Sequence, residues 1–284
     1  EIGYMDDFIT LVFLLGHPLV NLKAITIVPG TPDEIGFLRH VLAIFNRADI
    51  PLGVFDMNAK SIVSAFDYKV YYSTEIKESR EAFDACDILL THCDENTILV
   101  CGGPLTTVSK AIQTGKFRLG RLVVQGGFAG DNIVPSNKRI DKLNGQLTST
   151  AFNLDSNVQS ALNVLQDKTI KEKFFVSKNV CHRVHYNRDM HKQLEPIKDK
   201  SLSLKEIYRI MSIYLDSINI DGEIFHDPLT ACCAIDPTIG EWRDVELYFD
   251  EQVKEWGSRI VEYPNVKITV DYNHSSFLNT LFAY

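Results

Sequence analysis

The sequence predicts an α/β protein built on a single doubly wound, mostly parallel sheet flanked by helices. Two observations predict it. Short apolar runs of strand length alternate with longer amphipathic segments, and no internal repeat, Pro/Gly/Ser-rich stretch or single-sign charge block divides the 284 residues. In the first half, strands are expected at residues 22–28, 50–55, 97–101 and 121–125. Between them, residues 32–48, 76–93 and 105–113 have helical patterning, each entered through a proline, a charge or a turn. In the second half, 158–166 and 204–218 are expected as helices, and 173–176 and 267–271 as strands. The absence of a linker predicts one domain over residues 1–284.

Composition narrows the function. Hydrophobic residues make up 45% and charged residues 23%, enough for a large core without a disordered tail. Acids outnumber bases 37 to 29, a net charge of −8, which opposes binding to nucleic acid or an anionic membrane and favours a small ligand or a cation. The apolar run at residues 9–15 is too short to span a bilayer, so a soluble, cytoplasmic protein is expected. The six cysteines show neither C-x-x-C nor zinc-finger spacing and are expected as reduced thiols, mostly buried.

In open parallel sheets ligands bind beyond the carboxyl ends of the strands, which directs attention to four segments. Asp6 and Asp7 begin an apolar helix, where acids either cap free amides or face a ligand. Gly102-Gly103-Pro104 follows the 97–101 strand, as a tight turn or as a close backbone approach to a ligand. Gln125-Gly126-Gly127 leads through Asn132 to Ala151-Phe152-Asn153, with glycines too irregular for a dinucleotide fingerprint. His226-Asp227-Pro228 enters a late helix, where Asp227 is either an N-cap or a ligand-binding carboxylate.

Taken together and in order, these segments resemble the inosine-uridine nucleoside hydrolase family. That family carries an aspartate-rich D-x-D-x-G-x-D-D motif, a G-P-L-T-N turn, a G-G segment leading to E-F-N, and a late H-D-P. Gly3 to Asp7, Gly103 to Thr107, Gly126-Gly127 with Ala151 to Asn153, and His226 to Pro228 match them. The resemblance implies hydrolysis of the N-glycosidic bond of a nucleoside by a calcium-activated water. It assigns Asp7, Asp227 and the main-chain carbonyl of Gly102 to Ca2+, an all-oxygen set suited to a hard cation. Asp6, Asn132 and Asn153 fall to the ribose, and His226 to protonation of the departing base. It further implies a homodimer or homotetramer.

The chain departs from the family pattern at identifiable places. The catalytic-base aspartate position is held by Ile2, with Glu1 one residue further out as the candidate base. The missing first strand is expected to precede residue 1. The Glu of E-F-N is Ala151, the Asn after the second strand's glycine is Thr31, and the stretch between Asn132 and Asn153 is longer than in the best-known members. These losses leave a second reading open, a catalytically weakened relative that binds a nucleoside or an ADP-ribose-like ligand without turnover.

Overall fold

The computed structural model describes residues 5–59, 68–219 and 221–284. The strands are β1 Ile25–Ile27, β2 Leu52–Val54, β3 Phe83–Asp84, β4 Ile98–Cys101, β5 Leu119–Gln125, β6 Thr148–Ser149, β7 Ile170–Val176, β8 His185–Tyr186, β9 Glu223–Ile224, β10 Gly240–Asp250, β11 Glu255–Arg259 and β12 Val266–Tyr272. The α-helices are α1 Met5–Gly16, α2 Pro32–Ile44, α3 Ala85–His92, α4 Thr106–Gln113, α5 Phe152–Asp155, α6 Val158–Gln166, α7 Lys178–Cys181, α8 Arg188–Leu194, α9 Leu202–Ser217, α10 His226–Ile235 and α11 His274–Leu281. The chain divides into two compact units. One comprises Glu1–Ile88, His185–Pro228 and Leu281–Tyr284, and the other Leu89–Val184 and Leu229–Thr280.

In the first unit β1, β2 and β3 pair in parallel, with Ile25 opposite Leu52 and Gly53 opposite Phe83. Helix α2 starts where it does because Thr31 and Glu34 cap each other: Glu34 N–H donates to Thr31 Oγ1 at 3.2 Å, and Thr31 N–H to Glu34 Oε2 at 2.7 Å. Helix α1 buries Phe8, Ile9, Val12 and Phe13, residues that fall on one helical face. Phe8 meets Phe37 edge to face at 4.9 Å, and burying each such ring contributes roughly 1.5–3 kcal/mol. Ser203 Oγ donates to the Val12 carbonyl at 2.9 Å, so α1 and α9 approach closely, and a Cβ on Gly16 would lie 2.3 Å from that of Ser203.

The second unit holds a seven-stranded sheet in the order β4-β5-β7-β12-β10-β11-β6. The pairs from β4 through β12 are parallel, and β10, β11 and β6 continue the sheet antiparallel. Just past β7, Ser177 N–H donates to Thr269 Oγ1 and Ser177 Oγ to the Thr269 carbonyl, both at 2.8 Å, fixing this end of β7 against β12. Lys173 reaches back to the Leu165 carbonyl at 3.0 Å, satisfying the C-terminal end of α6, and burial pushes its pKa down.

The α/β class expected from the sequence is the one observed. The helix expected at 76–93 is shorter: α3 begins only at Ala85, because Phe83 and Asp84 join β2 as a strand and Asp84 Oδ1 then accepts the Cys86 N–H at 2.8 Å. Cys86, Cys181, Cys232 and Cys233 are buried, and Cys93 and Cys101 partly so. Among the described residues no helix is long and apolar enough to cross a membrane.

Candidate active site

In the first unit, the start of α1 and the start of α10 bring three carboxylates together. One oxygen from each of Asp6, Asp7 and Asp227 lies within 4.8 Å of the others. Asp6 and Asp227 are buried and Asp7 is partly exposed. The Asp6 carboxylate is itself the cap of α10, its Oδ2 accepting the N–H groups of His226 at 3.1 Å and Asp227 at 3.2 Å. Asp227, one of the cap candidates in the sequence, therefore lies inside the first turn, capped from a distant part of the chain.

Burial first, and then the neighbouring Asp7 charge, hold the Asp6 carboxyl well above the usual carboxylate range. Burial and the charges of Asp7 and Asp6 do the same to Asp227. Oδ1 of Asp227 is buried without a hydrogen-bond partner. An orphaned buried carboxylate oxygen, beside two further carboxylates whose charges oppose its own, fits a hard cation, which supplies the missing partner and offsets the repulsion.

In the second unit, the carboxyl ends of β4 and β5 converge on Asn153 at the start of α5. The Asn153 amide nitrogen donates to the Gly102 carbonyl at 2.7 Å, to the Gln125 carbonyl at 3.1 Å and to Gln125 Oε1 at 2.8 Å. Its own Oδ1 takes no part in these bonds. The Gly102 carbonyl keeps a second lone pair for another partner. The Asn132 amide donates to the Ser258 carbonyl at 2.7 Å. His226 is the first residue of α10 and is partly exposed. Glu1 lies outside the described residues.

Two further residues touch or influence these groups and were given no role in the sequence. Gln125, the last residue of β5, orients Asn153, and its place before Gly126-Gly127 is the signal that could have found it. Glu223 raises the Asp6 pKa further by its charge, is itself pushed up by burial, and accepts the Tyr214 hydroxyl. No spacing in the sequence announces it.

An α/β fold whose first unit carries an aspartate cluster at a helix entrance, and whose second carries an amide-lined turn at the ends of parallel strands, belongs to the class of folds that bind small ligands. The family model of the inosine-uridine preferring nucleoside hydrolases matches residues 2–279, and the chain belongs to this family. It is 23% identical to the pyrimidine-specific ribonucleoside hydrolase RihA of Klebsiella pneumoniae subsp. pneumoniae, over 97% of this chain and 93% of that protein. Its fold is that of a plant nucleoside hydrolase, PpNRh1 (TM-score 0.69, 18% identity, 100% and 98% of the two chains). It is likewise that of a purine-preferring ribonucleoside hydrolase from Gardnerella vaginalis (TM-score 0.71, 17% identity, 98% and 93%). Family membership makes hydrolysis of ribonucleosides the class of activity.

Proposed function

We propose that the protein hydrolyses the N-glycosidic bond of ribonucleosides with Ca2+ at the carboxylates of Asp7 and Asp227. The observation that carries this reading is the orphaned Oδ1 of Asp227 inside the three-carboxylate cluster. When bound, the ion lowers the pKa of a water and gathers the sugar hydroxyls. Asp6 holds Asp227 in position through the first amides of α10 and offers its other oxygen to the sugar. We assign Asn153 to the ribose hydroxyls, with Gln125 fixing its amide so that Oδ1 is the presented acceptor. As the C1′–N bond breaks, water oxygen bonds to C1′ while a carboxylate of the aspartate cluster takes the water's proton, and the base leaves with a proton that His226 supplies. The family match runs unbroken across both compact units, which supports treating them as one domain.

A second reading, nucleoside binding without turnover, is favoured by Ala151 and Thr31. Thr31 is buried and its hydroxyl is committed to capping α2, so it replaces the family's asparagine with a structural role. Free-base release from a panel of purine and pyrimidine nucleosides, with calcium and with chelator, decides. Calcium-dependent release supports the hydrolase. Calorimetric binding of nucleosides with no base released supports the second reading.

A further inference from the structure

The long stretch between Asn132 and Asn153 carries a cationic cluster that hydrolysis of a neutral nucleoside does not need. Asp131 fixes this loop. Its N–H donates to the Gln146 carbonyl at 2.9 Å and its carboxylate accepts the Gly145 N–H at 2.7 Å. Arg139 pairs with that carboxylate at 3.2 Å and donates to the Asp131 carbonyl at 2.6 Å. The turn Asp141–Leu143 thereby holds Lys142 on a fixed frame, where its ammonium donates to His182 Nδ1. Lys178 donates to Ser149 Oγ at 2.9 Å and to the Thr150 carbonyl at 3.2 Å, adjoining Ala151.

Neighbouring cations have carboxylate partners: Lys138 and Arg183 pair with Asp271, and Arg139 with Asp131. Among the described residues Lys142 and Lys178 form no such pair, although the charges of Asp155 and Glu255 act on Lys178. Burial, and to a smaller extent the Lys142 charge, push the Lys178 pKa down. Two ammonium groups without an ion-pair partner, one partly buried, are groups an anion can pair with. The cluster is also continuous with the sugar-binding residue assigned above. Gln125, which orients Asn153, donates its amide to Cys181 Sγ at 3.5 Å, and Cys181 adjoins His182.

We propose that Lys142, held by His182, and Lys178 receive a phosphomonoester on the ribose, so that the substrates this enzyme prefers are ribonucleoside monophosphates. The inference rests on the hydrolase reading. Two ammonium groups match the charge of a phosphate dianion. His182 Nδ1 accepts from Lys142 and so fixes the position of that ammonium. In the reaction the oxygen of water bonds to C1′ as the C1′–N bond breaks and the base departs protonated. The products are free base and ribose phosphate, with the phosphate ester intact.

The test is base release from uridine, inosine and their 5′- and 3′-monophosphates by wild type, Lys142→Ala, Lys142→Glu, Lys142→Arg and Lys178→Gln, with a melting curve for each. The expected kcat/KM for a monophosphate exceeds that for its nucleoside by about tenfold or more, the effect of one charge-assisted hydrogen bond. That ratio falls about tenfold in Lys142→Ala and Lys178→Gln, reverses in Lys142→Glu and returns in Lys142→Arg. Wild-type cleavage of nucleosides equal to or better than that of monophosphates overturns the inference and leaves the hydrolase reading intact. If no substrate releases base, the hydrolase reading fails, and calorimetry with ribose 5-phosphate against ribose judges the anion site alone. Binding of the phosphate ester that Lys142→Glu abolishes supports the site, and equal or absent binding overturns it.

Discussion

Asp6 Oδ2 accepts the backbone N–H of Asp227 at 3.2 Å across 221 residues of sequence, so one carboxylate both caps α10 and crowds a second carboxylate. The two effects have opposite signs and different variants separate them. Asp6→Asn keeps an acceptor for the amides and removes a charge, so in chelator it is expected to melt at or above the wild-type temperature. Asp6→Ala loses the cap, at a cost of roughly 0.5–2 kcal/mol, and melts lower. Thermal melts of the three proteins check this. A chelated Asp6→Asn that melts well below wild type would discard the repulsion.

Calcium is expected to raise the melting temperature of wild type, because a ligand that binds only the folded state stabilises it by mass action. Asp227→Ala and Asp7→Ala should lose that rise together with base release. Calorimetric titration of chelated protein measures the binding directly, and an unchanged calcium response in Asp227→Ala refutes the assigned ligand.

His226 and Asp227 are neighbours given different roles, and substrates with different leaving groups separate them. His226→Ala should slow a natural nucleoside about 10²- to 10⁴-fold, the range of a general acid. The same variant should leave an activated p-nitrophenyl riboside within about tenfold of wild type, since a good leaving group needs little proton transfer. Asp227→Ala should abolish both reactions. Equal losses on the two substrates in His226→Ala, with a lowered melting temperature, would make the imidazole structural.

His191 supplies a pH-dependent term in stability. Ser212 spends its one hydroxyl proton on the Tyr208 carbonyl at 2.7 Å, so at 3.0 Å it accepts from His191 Nε2–H, and Tyr186 donates to Nδ1 at 2.9 Å. This arrangement holds the ring neutral, and burial lowers its pKa below the usual 6.5. The unfolded chain therefore binds the proton more readily, and stability is present above pH 6.5 and lost as pH falls through the lower folded value. Urea unfolding at pH 7.5 and 5.5 should show a smaller pH dependence in His191→Gln than in wild type. An equal slope in the two proteins rules out this source.

Thr31→Asn should preserve the cap on α2, since asparagine ranks with the best N-cap residues, whereas Thr31→Ala should cost about 1 kcal/mol. If the family's asparagine position serves the sugar, Thr31→Asn also raises kcat/KM for nucleosides. Unfolding curves and base release on the two variants give both answers.

Much of the fold was legible because it rests on local periodicity. The runs at 97–101 and 121–125 became β4 and β5, and 158–166 became α6, with boundaries near those expected. The β10–β11 hairpin was missed although Val245 and Leu247, both buried, alternate with Asp244, Glu246 and Tyr248 in the period of a strand. Its charged outer positions and the register shift at Glu241/Trp242 obscured the pattern. The motif residues Asp6, Asp7, Asp227, Gly102 and Asn153 were readable as segments. Their partners were not: the amides over Asp6 and the glutamine under Asn153 are contacts between distant parts of the chain, to which a local pattern is blind.

The Asp6–Asp227 contact also sets a schedule for synthesis. At about 5–20 residues per second, a ribosome adds Asp227 roughly 10 to 45 s after Asp6. For most of that interval α1 lacks its α9 partner, because Ser203, which fastens it to α9, is also unmade, and only Phe37, the ring partner of Phe8, follows early. A helix made early, α1, is thus completed only by segments made much later. Chaperone dependence during translation should therefore fall on α1, while Leu89–Val184 is one uninterrupted stretch of its compact unit.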